Sequence, residues 1–324
     1  MTRLNVELPL PAGFRTVDVL AFHRRDPQQI AERILDEGPE TGLDKAFVWA
    51  GRPACMAFRF DGDVAEGGAL QNGHVRVECV IDTVSGTERG AIGEGLGQGD
   101  FGQEAFERLV RHMLGLAQPI EAFEHAHTTH PELGPLIRRN AGLRIPQVAT
   151  PFEAISWAIL GQQISLVAAV ALRRRLIQAA DRRHSSGLIC YPDAASLLQV
   201  DAAALRAAGC SQTKAAALLG LARAVAEEGL PLDDWLRTLP VEDIRSGLLA
   251  IRGIGPWTIN YALLRGFGWL DASLHGDVAV RRGLRLLLGR AEPVGEAETR
   301  QWLEAFAPWR ALVAAHLWTV KAEG

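Results

Sequence analysis

The sequence predicts an α+β protein in two parts, a β-rich N-terminal region followed by an all-helical remainder. Three observations predict it. Segments that alternate or run apolar are separated by turn residues over the first hundred positions. From about Glu104 the pattern becomes helical and is punctuated by prolines, most of them at helix boundaries. Near the C-terminus, two helical runs flank a glycine turn over 248–261.

In chain order, Phe47–Ala50, Ala57–Phe60 and His74–Ile81 read as strands. The turns between them are Gly51-Arg52-Pro53, Asp61-Gly62-Asp63 and Gly67-Gly68. Asp26–Leu35 reads as a helix behind an Asp cap. Gly90–Gly102 is glycine-rich and polar, as a flexible loop is. Phe152–Leu160 is a helix interrupted by Gly161-Gln162-Gln163, and Ser165 can cap the next, which carries Arg173-Arg174-Arg175 as a solvated face. Ala194–Ala207 and Thr213–Glu228 read as further helices. The expected division is residues 1–115 and 116–324.

Composition narrows the class. The chain has 324 residues, 48% hydrophobic and 22% charged, which is ordinary for a soluble globular protein. No apolar run is long enough to span a bilayer, and the N-terminus lacks the apolar core of a signal peptide. The expected place is therefore the cytoplasm, at the nucleoid, with no membrane partner. Cys55, Cys79, Cys190 and Cys210 lack paired spacing, which argues against a zinc site, an iron–sulfur cluster or a disulfide framework. The net charge of −4 argues against a nonspecific nucleic-acid coat. It is uneven, with 15 basic and 21 acidic residues in the first 150 against 19 and 17 in the rest. The mildly basic part is the one with the glycine turn.

That turn, Leu248–Tyr261, carries the chemistry. Gly253 and Gly255 flank Ile254, so two positions are free to take positive φ. Backbone N–H groups there, backed by a helix N-terminus, form a site for phosphate. Pro256 suits the first helical position. Asp277 follows in Gly276-Asp277-Val278-Ala279, where it also fits as a helix N-cap. Trp257 and Tyr261, at i and i+4, share one helix face and serve equally as core or as pocket lining.

Leu248–Asp277 resembles the helix-hairpin-helix-Gly-Pro-Asp superfamily of DNA glycosylases, and within it the 3-methyladenine DNA glycosylase II branch. Gly142–Pro146 with Phe152–Ser165, Ile189–Pro192 through Lys214, and Pro308-Trp309-Arg310 through Trp318 resemble the remainder of the family's helical part. The N-terminal strands would then form the TATA-box-binding-protein-like antiparallel sheet of this branch. The resemblance implies Asp277 as the catalytic carboxylate and Trp257, Tyr261 and Trp318 as walls of a base pocket, with Phe22 closing it. Electron-rich faces attract a cationic alkylated purine by ~0.5–2 kcal/mol per contact. It implies Gly253, Ile254, Gly255, Thr258 and Lys214 as DNA contacts, and Gln163 at the wedge position, where a glutamine also reads as an exposed loop residue. Double-stranded DNA is the implied partner and a monomer the implied state. No organic cofactor is implied, although a monovalent cation can sit on the hairpin carbonyls.

The implied reaction is hydrolytic release of alkylated purines, 3-methyladenine and 7-methylguanine, from flipped nucleotides. Tryptophan at 257, where strand-cutting relatives place a Schiff-base lysine, implies a monofunctional enzyme. Two alternatives stand beside it: a glycosylase for deaminated or oxidised bases, and a noncatalytic binder of damaged DNA. His125, His127 and His130, in a stretch read as loop, are better taken as surface residues than as metal ligands, and His275 and His316 as structural.

Overall fold

A computed structural model describes residues 1–36, 40–64, 69–83 and 102–321. The turn at Gly67-Gly68 and the loop expected over Gly90–Gly102, Gly102 itself apart, lie outside the described residues.

An antiparallel sheet occupies the N-terminal region. Its strands are β1 (Thr2–Pro9), β2 (Phe14–Arg15), β3 (Glu32–Leu35), β4 (Thr41–Trp49), β5 (Arg52–Val64) and β6 (Ala69–Ile81), with one helix, α1 (Thr16–His23), after β2. The order is β1-β6-β5-β4-β3, and β2 adds to β6. Alternation along β5 and β6 turns Phe58, Val75 and Val77 inward as the two-residue period requires.

The helical part follows, with the helices α2 (Gln103–Met113), α3 (Ile120–His127), α4 (Leu133–Arg139), α5 (Pro151–Gly161), α6 (Leu166–Ala180), α7 (Ala194–Leu198), α8 (Ala202–Ala207) and α9 (Gln212–Ala226). It continues through α10 (Leu232–Thr238), α11 (Val241–Leu249), α12 (Pro256–Arg265), α13 (Val278–Leu287), α14 (Glu296–Glu304) and α15 (Arg310–Trp318). The helix α5 is buried from Pro151 to Leu160 and packs against α12, α6 and α9, so it is the axis of this region. Its N-cap is Thr150, whose hydroxyl accepts from Glu153 N, and Pro151 takes the donor-free first position. Ser165 caps α6 as expected, accepting from Ala168 N. No helix among the described residues is long and apolar enough to cross a membrane.

Four expectations are corrected. Asp26–Leu35 is not a helix. Asp26 Oδ1 accepts from Gln28 N at 3.1 Å, a local turn, Gln29 has φ +50°, and Glu32–Leu35 pairs with β4. Ala194–Ala207 is two helices, because Asp201 takes an extended conformation and caps the second. His125 and His127 lie in the helix α3 rather than in a loop; His125 is exposed, as expected, while the half-buried rings of His127 and His130 pack on Phe306. Arg173 is not on a solvated face but deeply buried, and Arg174 pairs with the buried Asp26 at 3.1 Å.

Arg173 belongs to a charge cluster that joins the two regions. Lys45 of β4, fully buried, donates to Glu32 Oε1 of β3 at 2.9 Å and to Glu153 Oε1 of α5 at 2.8 Å. Arg173 of α6 donates to the same two carboxylates, and its guanidinium carbon lies 4.9 Å from the Tyr191 ring centre. Burial alone would raise the Glu32 pKa, but Arg173 and Lys45 overcome it and hold the carboxyl well below its ordinary range. Next to the cluster, residues 189–191 continue the edge of β4 beyond β3. Val48 N donates to Tyr191 O at 2.9 Å and Tyr191 N to Ala46 O at 3.0 Å.

Lys45→Met would leave two buried carboxylates facing one guanidinium. We expect a loss of about 3–5 kcal/mol of stability, read by urea unfolding. A second expectation concerns acid. Burial pushes the His112 pKa down to about 4 and that of His316 down to about 3. Both stay neutral when folded and take up protons only on unfolding below their ordinary value of 6.5. Stability is then fully present above pH 6.5 and falls progressively toward pH 3. His316→Phe should flatten that pH dependence in unfolding curves measured across the same range.

Candidate active site

The turn between α11 and α12 has the expected shape with one correction. Gly253 has φ +95°, and a Cβ there would lie 2.9 Å from the Ala217 Cβ, so glycine is required twice over. Gly255 does not take positive φ. It is the extended N-cap of α12 at φ −114°, with open space where a Cβ would stand. Pro256 occupies the first turn of α12. The Ile254 side chain is buried, and its N–H bonds Ile251 O at 3.1 Å.

Asp277 is the N-cap of α13, and its carboxylate collects four donors. Its Oδ1 accepts from Ala279 N at 2.9 Å, Val280 N at 3.0 Å and Trp318 Nε1 at 3.2 Å. Its Oδ2 accepts only from Trp257 Nε1, at 3.2 Å. Capping and pocket geometry are thus served by one residue: the helix N-terminus fixes Oδ1, and two indoles from α12 and α15 bracket the group. Oδ2 keeps lone-pair capacity for an incoming group.

These residues line a cavity of about 1350 Å³. Trp257, Tyr261, Trp318 and Asp277 come together there, as does Phe22 from α1, so both regions of the chain build its wall. Gln163 is also at the cavity, exposed, with φ +58°, a left-handed conformation costly for a non-glycine residue. Its neighbour Gln162 ties this loop to the glycine turn, donating from Nε2 to Gly253 O and to Thr258 Oγ1, both at 2.9 Å.

Two expected DNA contacts are placed elsewhere. Thr258 is 2% exposed, beneath Gln162. Lys214 is buried, and its Nζ donates to Leu160 O at 2.6 Å, closing the C-terminal end of α5. Burial lowers its pKa from the ordinary lysine value. No lysine lines the cavity among the described residues. Of the carbonyls at the turn, that of Gly253 accepts from Gln162. No group of three or more His, Cys, Asp or Glu side chains able to hold a metal occurs among the described residues.

Trp157 and Arg265 are among the lining residues that the sequence reading did not assign to the pocket. Trp157 of α5 donates from Nε1 to the Tyr261 hydroxyl at 2.8 Å. Arg265 is buried against the cavity, with Nη1 on Pro146 O at 2.6 Å. The signal for Arg265 was present, since Trp257, Tyr261 and Arg265 follow the i, i+4, i+8 spacing of one helix face. Nothing local marked Trp157, which lies in a helix buried all round from Pro151 to Leu160.

Residues 156–308 match the family described as HhH-GPD superfamily base excision DNA repair protein. The helical part, residues 156–308, is therefore an HhH-GPD domain, and it holds the glycine turn, the capping aspartate and most of the aromatic cavity wall. The chain is similar to DNA-3-methyladenine glycosylase 2 of Escherichia coli, 34% identical over 190 residues, which are 57% of this chain and 63% of that protein. It thus spans just under two thirds of that relative's length. It is also similar to the DNA-3-methyladenine glycosylase of Bacillus subtilis, 26% identical over 67% of this chain and 73% of the relative. The fold matches that of the 3-methyladenine DNA glycosylase from Archaeoglobus fulgidus with a TM-score of 0.71 at 21% identity, covering 97% of each chain. The sheet and the helical region are therefore both shared with that structure.

Gln162→Ala should free the 162–165 loop from the glycine turn. We expect an increase in hydrogen exchange confined to these two segments, with a stability loss of about 1 kcal/mol.

Proposed function

We propose that this chain is a monofunctional DNA glycosylase that hydrolyses the N-glycosidic bond of alkylated purines, 3-methyladenine and 7-methylguanine, in duplex DNA. The observation that carries the reading is the Asp277 carboxylate, held by two indole N–H groups and a helix N-terminus inside an aromatic cavity that the glycine turn also lines. The names of the relatives, both 3-methyladenine glycosylases, support the substrate class.

In the proposed reaction the backbone around Gly253 and Gly255 and the N-terminus of α12 take a phosphate, and Gln163 fills the gap left by the flipped nucleotide. The base enters among Trp257, Trp318 and Tyr261. As the C1′–N bond breaks, its electron pair leaves with the base and positive charge grows on the sugar. Asp277 Oδ2 stabilises that charge and orients the water whose oxygen bonds C1′. An alkylated, cationic purine departs neutral, and the water proton passes to Asp277 and on to solvent. An abasic site remains. With Trp257 at the hairpin, the cavity lining among the described residues offers no lysine amine to form a Schiff base and cut the strand.

The test is base release from methylated duplex DNA by the native protein and by Asp277→Asn. The expected outcome is release by the native protein, strand breaks only after alkali, and at least about a 100-fold slower release by the variant with DNA affinity retained. Release of deaminated or oxidised bases in place of alkylated ones would move the substrate class. DNA binding without release of any base would replace the enzyme with a damage binder.

A further inference from the structure

The hydroxyl of Tyr261 accepts from a group that can only give a proton. Trp157 Nε1–H donates to it at 2.8 Å, and an indole N–H has no acceptor to offer in return. Arg265, one helical turn further along α12 and in the same cavity wall, likewise carries donors alone. A phenol oxygen accepts through its lone pairs and donates one proton. Among the described residues, no acceptor takes that proton. Arg265 itself is anchored on Pro146 O, with its guanidinium carbon 4.4 Å from the Phe22 ring centre and 5.3 Å from that of Trp318. Burial draws its pKa down to about 10, so it stays charged at neutral pH. Trp157, Tyr261, Arg265 and Phe22 all line the cavity that holds Asp277.

We infer that Trp157 is a positioning residue for base selection. By occupying the Tyr261 oxygen, it commits the O–H of that residue as a donor into the cavity. The pocket around Tyr261 and Arg265 then presents donors only. It reads a hydrogen-bond acceptor, a carbonyl oxygen or an unprotonated ring nitrogen, on the flipped purine. The inference rests on the glycosylase reading above and extends it to neutral purines.

Two physical consequences separate neutral from cationic bases. A fixed guanidinium disfavours a base whose own positive charge lies at that end of the pocket. When a neutral purine leaves, the electron pair of the broken C1′–N9 bond enters the ring, and its acceptor edge gains negative charge. The Tyr261 O–H stabilises that charge as it develops. The departing anion then takes a proton from solvent, and the water added at C1′ gives one up. A ring that is already cationic needs this help least.

The experiment uses the full chain with Trp157→Phe, Tyr261→Phe and both together, which keep the aromatic volume and remove one donor each. Single-turnover release of hypoxanthine, a neutral purine with acceptors at O6 and N7, is compared with release of 7-methylguanine. In parallel, affinity is measured for a duplex carrying 2′-fluoro-deoxyinosine, which resists hydrolysis. The expected result is about a tenfold fall in the hypoxanthine to 7-methylguanine rate ratio for each single variant. The double variant should fall no further than Tyr261→Phe, because Trp157 acts through that hydroxyl. The affinities should show the same non-additivity. Equal loss on both bases, additive losses, or no change would overturn the inference. Should Trp157→Phe fail to fold, the ratio for Tyr261→Phe decides. If the native protein releases neither base, the glycosylase reading fails, and the binding cycle alone judges the donor-only pocket.

Discussion

Four charged side chains, Lys45, Glu32, Glu153 and Arg173, are shut inside the protein where the sheet meets the helices. Two positive and two negative groups balance there, and each carboxylate bonds both cations. Such a cluster adds little net stability over a well-packed apolar core, since desolvating the ions offsets their attraction. Its effect is geometric, because any other arrangement of these four elements leaves a charge buried without a partner. Glu32 and Lys45 face each other in the β3–β4 register, and Glu153 and Arg173 belong to α5 and α6. The relative placement of sheet and helices is thereby set, and with it everything that the cavity draws from both.

The cavity wall follows from that joint in a few short steps. Trp157 stands one turn after Glu153 on α5 and reaches Tyr261 on α12. His23 lies beside the cluster and next to Phe22, the contribution of α1 to the cavity. On the helical side, Gln162 joins the end of α5 to the glycine turn. The tryptophans and Tyr261 are therefore held through hydrogen bonds that use their polar atoms, leaving ring faces and a small number of polar atoms for a ligand.

Asp277 shows how one short motif serves two purposes. As N-cap it satisfies two orphan N–H groups of α13, and the same bonds lock its orientation. The two indole donors then share the carboxylate unevenly, three donors on Oδ1 and one on Oδ2. A carboxylate held in this way needs no reorganisation to meet developing positive charge, the condition under which electrostatic stabilisation is most effective.

By itself the sequence determined what local rules govern. Proline and serine marked the helix starts at Pro151, Ser165 and Pro256, glycine marked the turn at 253, and two-residue alternation marked the longer strands. The aspartate at 277 and the aromatics at 257, 261 and 318 stood out through the resemblance to a known family, since spacing alone left them equally as a helix cap and core residues. Tertiary structure decided the remainder. Glu32–Leu35 became a strand because an edge of β4 and a buried lysine were available to it, neither of which a local window contains. Arg173 and Lys214 look like solvent-facing charges until Glu153 and the Leu160 carbonyl are placed beside them. Trp157 and Arg265 become pocket residues only when α5 and α12 pack together. The reason is physical: capping, turns and periodicity act over a few residues, whereas the partner of a buried polar group lies wherever the fold brings the next free donor or acceptor.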